Sequence, residues 1–236
     1  MPFDIEKFMS ASRSFYIPLA LFLTLVLSIG ALAQNERKIA YGILVDNTGS
    51  MRTQFSQVNM LGKGVVKHIH PNGPISIFNF TTQSNTKDPL ALVKSGVEWS
   101  QDKNIIDRYI DSLSVVAGQT TLKDAIYSIA EDLSTKVNLD KDAYAGKVII
   151  LLTDGEDRVS KVMEKELIQV LKESGIRVYA VGLVQELEID GGFIRKSSRN
   201  KAVDFLKKIT KETGGRVIFP KGQTNIDSLV KELLAG

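Results

Sequence analysis

Cysteine is absent from the 236 residues, and there are only two histidines and one tryptophan. Without a thiol there is no disulfide, no thiolate nucleophile and no thiolate zinc centre. His68 and His70 leave little room for imidazole catalysis. Charge of one sign is also scarce: 30 Lys and Arg against 27 Asp and Glu leave a formal charge of +3. That is far from the concentrated basic surface of a nucleic-acid binder. No internal repeat or low-complexity tract interrupts the chain. What is present is 43% hydrophobic and 24% charged. This balance belongs to a chain that can bury a full core, and it excludes a disordered polypeptide, a collagen or a stapled miniprotein.

The one long uncharged run lies at the beginning. Phe15 to Ala33 carries no charged side chain, Asp4, Glu6, Lys7 and Arg13 precede it, and it closes on Ala31-Leu32-Ala33. A basic residue, an apolar stretch and small residues at its end read as a secretory signal peptide over residues 1–33. Read instead as a helix, the run reaches roughly 28 Å and would serve as an uncleaved N-terminal membrane anchor. In both readings the positive residues come first, so the amino end stays inside and the rest is exported. The expected location is secreted or periplasmic, or anchored with the domain outside the cytoplasm. The exported part reads as one domain over residues 36–236.

Its pattern alternates short apolar runs with longer amphipathic ones, which predicts an α/β fold with a mostly parallel sheet. Strands are expected at Ile39–Val45, Ile75–Phe80, Val148–Leu152, Val178–Val181 and Val217–Phe219, with a weaker antiparallel edge strand at Leu90–Val93. Spacings of three and four predict helices over Met51–Ile69, Ile105–Leu113, Leu122–Leu133, Val159–Leu171, Val203–Ile209 and Ile226–Leu233. Pro71-Asn72-Gly73-Pro74 and Gly214-Gly215 act as breaks.

Ligands of such folds bind beyond the carboxyl ends of the strands. The first strand runs into Asp46-Asn47-Thr48-Gly49-Ser50, and the central one into Thr153-Asp154-Gly155. Between them Gly118-Gln119-Thr120-Thr121 opens a helix. If the two strands are neighbours, all three loops meet at one edge of the sheet. Two carboxylates with several hydroxyls, and neither imidazole nor thiolate, form a hard oxygen donor set suited to magnesium, manganese or calcium. The bland alternative is that the Asp, Ser and Thr residues cap helices and that Asp154-Gly155 is an ordinary turn.

Taken together and in this order, Asp46-x-Thr48-x-Ser50, Gly118-x-Thr120 and Thr153-Asp154-Gly155 resemble the von Willebrand factor type A (VWA) domain with its metal-ion-dependent adhesion site. The resemblance implies a single Rossmann-like domain, a mostly parallel central sheet with one antiparallel edge strand, and helices on both faces. It implies metal ligation by Asp46, Thr48, Ser50, Thr120 and Asp154, with Thr121 as the substitute if the second loop is aligned one residue off. The family most often has serine where Thr48 stands; the hydroxyl is kept. The implied cofactor is Mg2+, alternatively Mn2+ or Ca2+, and the implied partner is a protein that supplies an acidic side chain to the ion. The chain is expected to be monomeric alone, with no nucleic-acid partner, and to touch a membrane only through an uncleaved N-terminal segment.

The leading reading is thus an exported, cation-dependent adhesion or assembly module, not an enzyme. A metal-dependent phosphatase-like hydrolase is the alternative, because an aspartate at the end of a first strand superficially resembles haloacid-dehalogenase-like phosphatases. Those require a second aspartate two residues on, where Thr48 cannot transfer the proton, and a suitably placed lysine is not evident. A scaffold with an empty metal site is the third reading. Other features receive structural expectations. His68 and His70 sit at a helix end, Glu156 and Asp157 read as solvated loop carboxylates, and Trp99 is a packing residue. The long connection Gln185–Asn200 either borders the site or is a solvated loop.

Overall fold

In a computed structural model the chain is described over residues 37–82, 91–188, 196–222 and 224–235. The leader or anchor expected over residues 1–33 lies outside the described residues, as do residues 189–195 of the Gln185–Asn200 connection. Six strands form one sheet in the order β3-β2-β1-β4-β5-β6: β1 Lys38–Val45, β2 Ile75–Thr82, β3 Ala91–Ser100, β4 Tyr144–Thr153, β5 Ile176–Gly182 and β6 Val217–Ile218. All neighbours are parallel except β2 and β3. The helices are α1 Phe55–Ile69, α2 Lys103–Ser112, α3 Leu122–Asn138, α4 Glu164–Glu173, α5 Ser198–Glu212 and α6 Ile226–Leu234. Among the described residues no helix is long and apolar enough to cross a membrane.

The central strands are buried on both faces, which is why β1 and the end of β4 read as continuous apolar runs and not as alternations. Their side chains nevertheless divide by parity. Tyr41, Ile43 and Val45 join Ile150 and Leu152 under α1, α2 and α6, in a core with Leu61, Ile106 and Leu229. Ala40 and Leu44 join Ile149 and Leu151 under α3, α4 and α5, with Ile126, Leu167 and Leu206. At Gly42 the sheet and α3 approach so closely that a Cβ would meet Ile129 Cγ2 at 2.9 Å.

Two elements depart from expectation. β3 runs on to Ser100, well past the four residues the pattern marks. Lys94, Ser95, Gly96 and Glu98 dilute its apolar signal, and antiparallel pairing with β2 carries it instead. Irregular register against Ile75–Phe78 is accompanied by a positive φ of 46° at Trp99. Trp99 packs at the margin of the second core, with Lys136 Nζ 5.9 Å from its ring centre. α4 begins at Glu164, not near Val159. The N–H groups of Arg158 and Val159 donate to the Thr120 carbonyl, and those of Lys161 and Val162 to the Asp124 carboxylate, so this stretch is bound to α3 before its own helix can start.

Candidate metal centre

Register brings the loops together. Val45 pairs with Leu152, and the Asp46 N–H donates to the Leu152 carbonyl at 2.9 Å. Asp46 and the Thr153-Asp154 end of β4 are therefore side by side at the carboxyl edge of the sheet. The first loop turns at once into a short helical turn, Gly49–Met51, anchored by the buried Met51. The second loop delivers Thr120 just ahead of α3.

All five expected ligands converge there. Asp46, Thr48, Thr120 and Asp154 are almost entirely removed from solvent, and Ser50 is half-buried. The Thr48 hydroxyl donates to Asp46 Oδ1 at 2.7 Å, and the Thr48 N–H donates to the same oxygen at 3.1 Å. The Thr48 and Ser50 hydroxyl oxygens are 3.2 Å apart, and the Thr120 hydroxyl reaches Thr48 Oγ1 at 3.5 Å. Thr120 is thus the residue of its loop that joins the cluster, while Thr121 stands directly before α3, where its carbonyl accepts from Ala125 N. Asp154 Oδ1 accepts the Glu156 N–H at 2.8 Å. Asp154 Oδ2 is buried without a hydrogen-bond partner.

Two buried carboxylates side by side resist ionisation. Burial, then the Asp154 charge, pushes the Asp46 carboxyl up to about 7 against the hydrogen bonds from Thr153 and Thr48. Burial likewise raises Asp154, opposed by the Glu156 N–H and the nearby Ser50 hydroxyl. Of the charges around Asp154, the neighbouring Asp46 and Glu156 raise it further and Arg158 lowers it.

This donor set fits a hard divalent ion. In an octahedron with bonds of about 2.1 Å, adjacent oxygens lie about 3.0 Å apart, close to the spacings of the Asp46, Thr48, Ser50 and Thr120 oxygens. The orphaned Asp154 Oδ2 is an unfilled acceptor in a dry place, where an unpaired polar atom is costly. Among the described residues no group of three or more His, Asp or Glu stands ready for a metal. A site here depends on its hydroxyls.

Several supporting residues receive no role from the sequence, although Asn47 and Thr153 lie inside the motifs. Thr153 donates to Asp46 Oδ2 at 2.6 Å and accepts the Gly155 N–H at 2.9 Å. Asn47 donates through Nδ2 to the Ser114 carbonyl at 3.0 Å, and its backbone carbonyl accepts the Val116 N–H. Gln54 donates to the Leu183 carbonyl at 3.1 Å, tying the first loop to the end of β5. Only their position beside the motif residues hints at these roles.

Glu156 and Asp157 are organised, not merely solvated. Asp157 accepts the Lys123 N–H at 3.2 Å and pairs with Lys123 Nζ, while Glu156 Oε2 is 2.9 Å from Arg158 Nη2. A cleft of about 290 Å³ opens beside Ser50, lined by Glu156, Arg158, Glu186, Glu188 and Ser198. The near end of the long connection therefore does border the cluster. His68 and His70 turn Nδ1 back to the carbonyls of Gly64 and Val66 in the last turns of α1.

A family model of the von Willebrand factor type A domain matches residues 42–232. The chain belongs to this family. Among solved structures, this VWA chain is similar to proximal thread matrix protein 1 from the mussel byssus in a form with a zinc-occupied MIDAS motif (TM-score 0.59, 16% identity, covering 84% of this chain and 47% of that one). It is also similar to the conserved hypothetical protein BatB from Bacteroides thetaiotaomicron (TM-score 0.54, 14% identity, 84% and 97% covered). A third is the pilus adhesin SpaC from Lactobacillus rhamnosus GG (TM-score 0.56, 13% identity, 84% and 30% covered). This chain spans about half the length of the mussel protein, and at these identities the likeness is one of fold. No curated protein matches it in sequence.

Proposed function

We propose that this VWA domain is an exported, divalent-cation-dependent binding module for adhesion or for assembly of extracytoplasmic complexes. Asp46, Thr48, Ser50, Thr120 and Asp154 hold the cation, Mg2+ in the first place and Mn2+ or Ca2+ as alternatives. The observation that carries this reading is Asp154 Oδ2, buried without a hydrogen-bond partner next to Ser50, whose hydroxyl continues through Thr48 to Thr120. The bound ion supplies positive charge with a coordination position open to a carboxylate from a protein partner. The chain's own groups do the rest. Asp46 fixes the Thr48 hydroxyl, the loop at Glu156–Val162 is fastened to α3, and the cleft beside Ser50 receives whatever flanks the partner's acid. The protein acts as a monomer and sits in the periplasm, in the secreted fraction or on an anchor facing out of the cytoplasm.

Binding is favoured over phosphoryl transfer by what surrounds Asp46. The position two residues on is a threonine whose proton is already given to Asp46, so no acid is available for a leaving group. The test is affinity capture by the purified chain in magnesium and again in chelator. Partners captured in magnesium should be released by chelator and absent from the Asp154→Ala variant. Capture that is indifferent to both would refute the reading.

A further inference from the structure

We infer that Thr153 is a positioning residue for the cation cluster, setting the orientation of Asp46 and through it of Thr48, without being a ligand itself. The inference rests on reading the cluster as a cation site.

Thr153 ends a run, Val148–Leu152, in which every residue is apolar. A valine would suit that strand position as well by β propensity and would be of similar shape. The hydroxyl instead lies fully buried between two loops. Its direction is forced. The Gly155 N–H, held by a backbone with φ of 78°, occupies one lone pair of Oγ1 at 2.9 Å. Once Asp46 is ionised, as a bound cation requires, the single hydroxyl proton points to Asp46 Oδ2, 2.6 Å away, because a carboxylate only accepts.

Asp46 thus receives three donors: Thr153 Oγ1 on one oxygen, and the Thr48 N–H and hydroxyl on the other. A carboxylate offers about four acceptor positions, so it is nearly saturated and cannot rotate without breaking bonds on both sides. The same arrangement orients Thr48. Having spent its only proton on Asp46, its oxygen faces Ser50 and Thr120 as an acceptor. One directed chain runs from the Gly155 N–H through Thr153 to Asp46, met from the other side by Thr48. It carries the conformation of the third loop to the first without passing through Asp154.

The test compares Thr153→Ala with Thr153→Ser in the full chain. Both lose the methyl group; only the alanine variant loses the hydroxyl. Manganese titration by calorimetry should give the serine variant an affinity within about threefold of wild type, and the alanine variant one about 10–100-fold weaker, as for outer-shell partners of metal ligands. Thermal unfolding supplies a second readout. In a fixed manganese concentration that saturates wild type, the gap between the two variants should exceed their gap in chelator. Equal manganese affinity of the two variants, or an equal unfolding gap with and without manganese, would overturn the assignment. So would an alanine variant that stays unfolded in excess manganese while the serine variant folds, because the hydroxyl is then purely structural. If wild type itself binds no manganese, the cation reading falls and this one with it. Wild-type binding with indistinguishable variants sinks the Thr153 role alone.

Discussion

Replacing Asp46 by asparagine should make the cation-free protein more stable. Asp46 has no exposed surface, and its carboxyl is pushed from 3.8 to about 7 by burial and by Asp154. That is roughly three units at about 1.4 kcal/mol each, or about 4 kcal/mol of opposition to the ionised form near neutral pH. Asparagine keeps an acceptor for the Thr48 donors but turns its amide N–H toward Thr153 Oγ1, so the Thr153 proton loses its acceptor; that returns about half of the gain, leaving about 2 kcal/mol. For a domain of this size the midpoint of unfolding should rise by about 4–8 °C in chelator. The pH dependence has a definite sign. A carboxyl whose folded-state pKa is raised stabilises fully below its unfolded value and loses that contribution as pH climbs through the folded one. The advantage of Asp46→Asn should therefore be small near pH 4, grow up to about pH 7 and level off above it. A cation reverses the order. At a hundred times its dissociation constant it stabilises wild type by about 2.7 kcal/mol, and the variant should gain almost none of this. Thermal unfolding across pH, in chelator and in magnesium, reads all of it. An Asp46→Asn protein less stable than wild type in chelator at pH 8, yet equally responsive to magnesium, would refute the reasoning.

Two further variants probe the third loop. Asp124→Ala releases the Lys161 and Val162 N–H groups and should cost about 1–3 kcal/mol, with faster amide exchange confined first to residues 156–162. Gly155→Ala forces a Cβ onto a backbone at φ 78° and to within 2.8 Å of Leu206 Cδ1, so it should cost at least about 1–3 kcal/mol and weaken manganese binding in calorimetry.

Much of this was legible in the residues. The runs at Ile39–Val45 and Val148–Leu152 declare themselves because a strand buried on both faces needs apolar side chains throughout. The five expected ligands stand out because Asp, Ser and Thr recur in three short loops, two directly after the apolar strands β1 and β4 and one directly before α3. Thr153 stands in the third motif, but its role is not legible there, since threonine is an ordinary strand residue until its proton is seen to reach Asp46. The late start of α4 was hidden for a related reason. Val159 and Val162 keep a helical spacing to Leu167 while their N–H groups are claimed by Thr120 and Asp124, and periodicity reports side-chain faces, not where backbone donors go. β3 extends beyond its local pattern because pairing with β2, a non-local event, outweighs a weak local signal.

The cluster also explains why the fold gathers so many polar groups in a dry place. Threonine and aspartate at the ends of β1 and β4 give up the burial that apolar residues would supply, and the raised carboxyls show that they are not at ease without a countercharge. Their mutual bonds reach across three loops: Thr153 to Asp46, Thr120 to Thr48, and the Thr120 carbonyl to the Arg158 and Val159 N–H groups. A cage held by such bonds keeps its shape while leaving Asp154 Oδ2 unsatisfied. An arrangement that served stability alone would have satisfied that oxygen or replaced it. Its retention next to the linked hydroxyls of Ser50, Thr48 and Thr120 is what a preorganised receptor for one hard cation requires, with little rearrangement left to oppose binding.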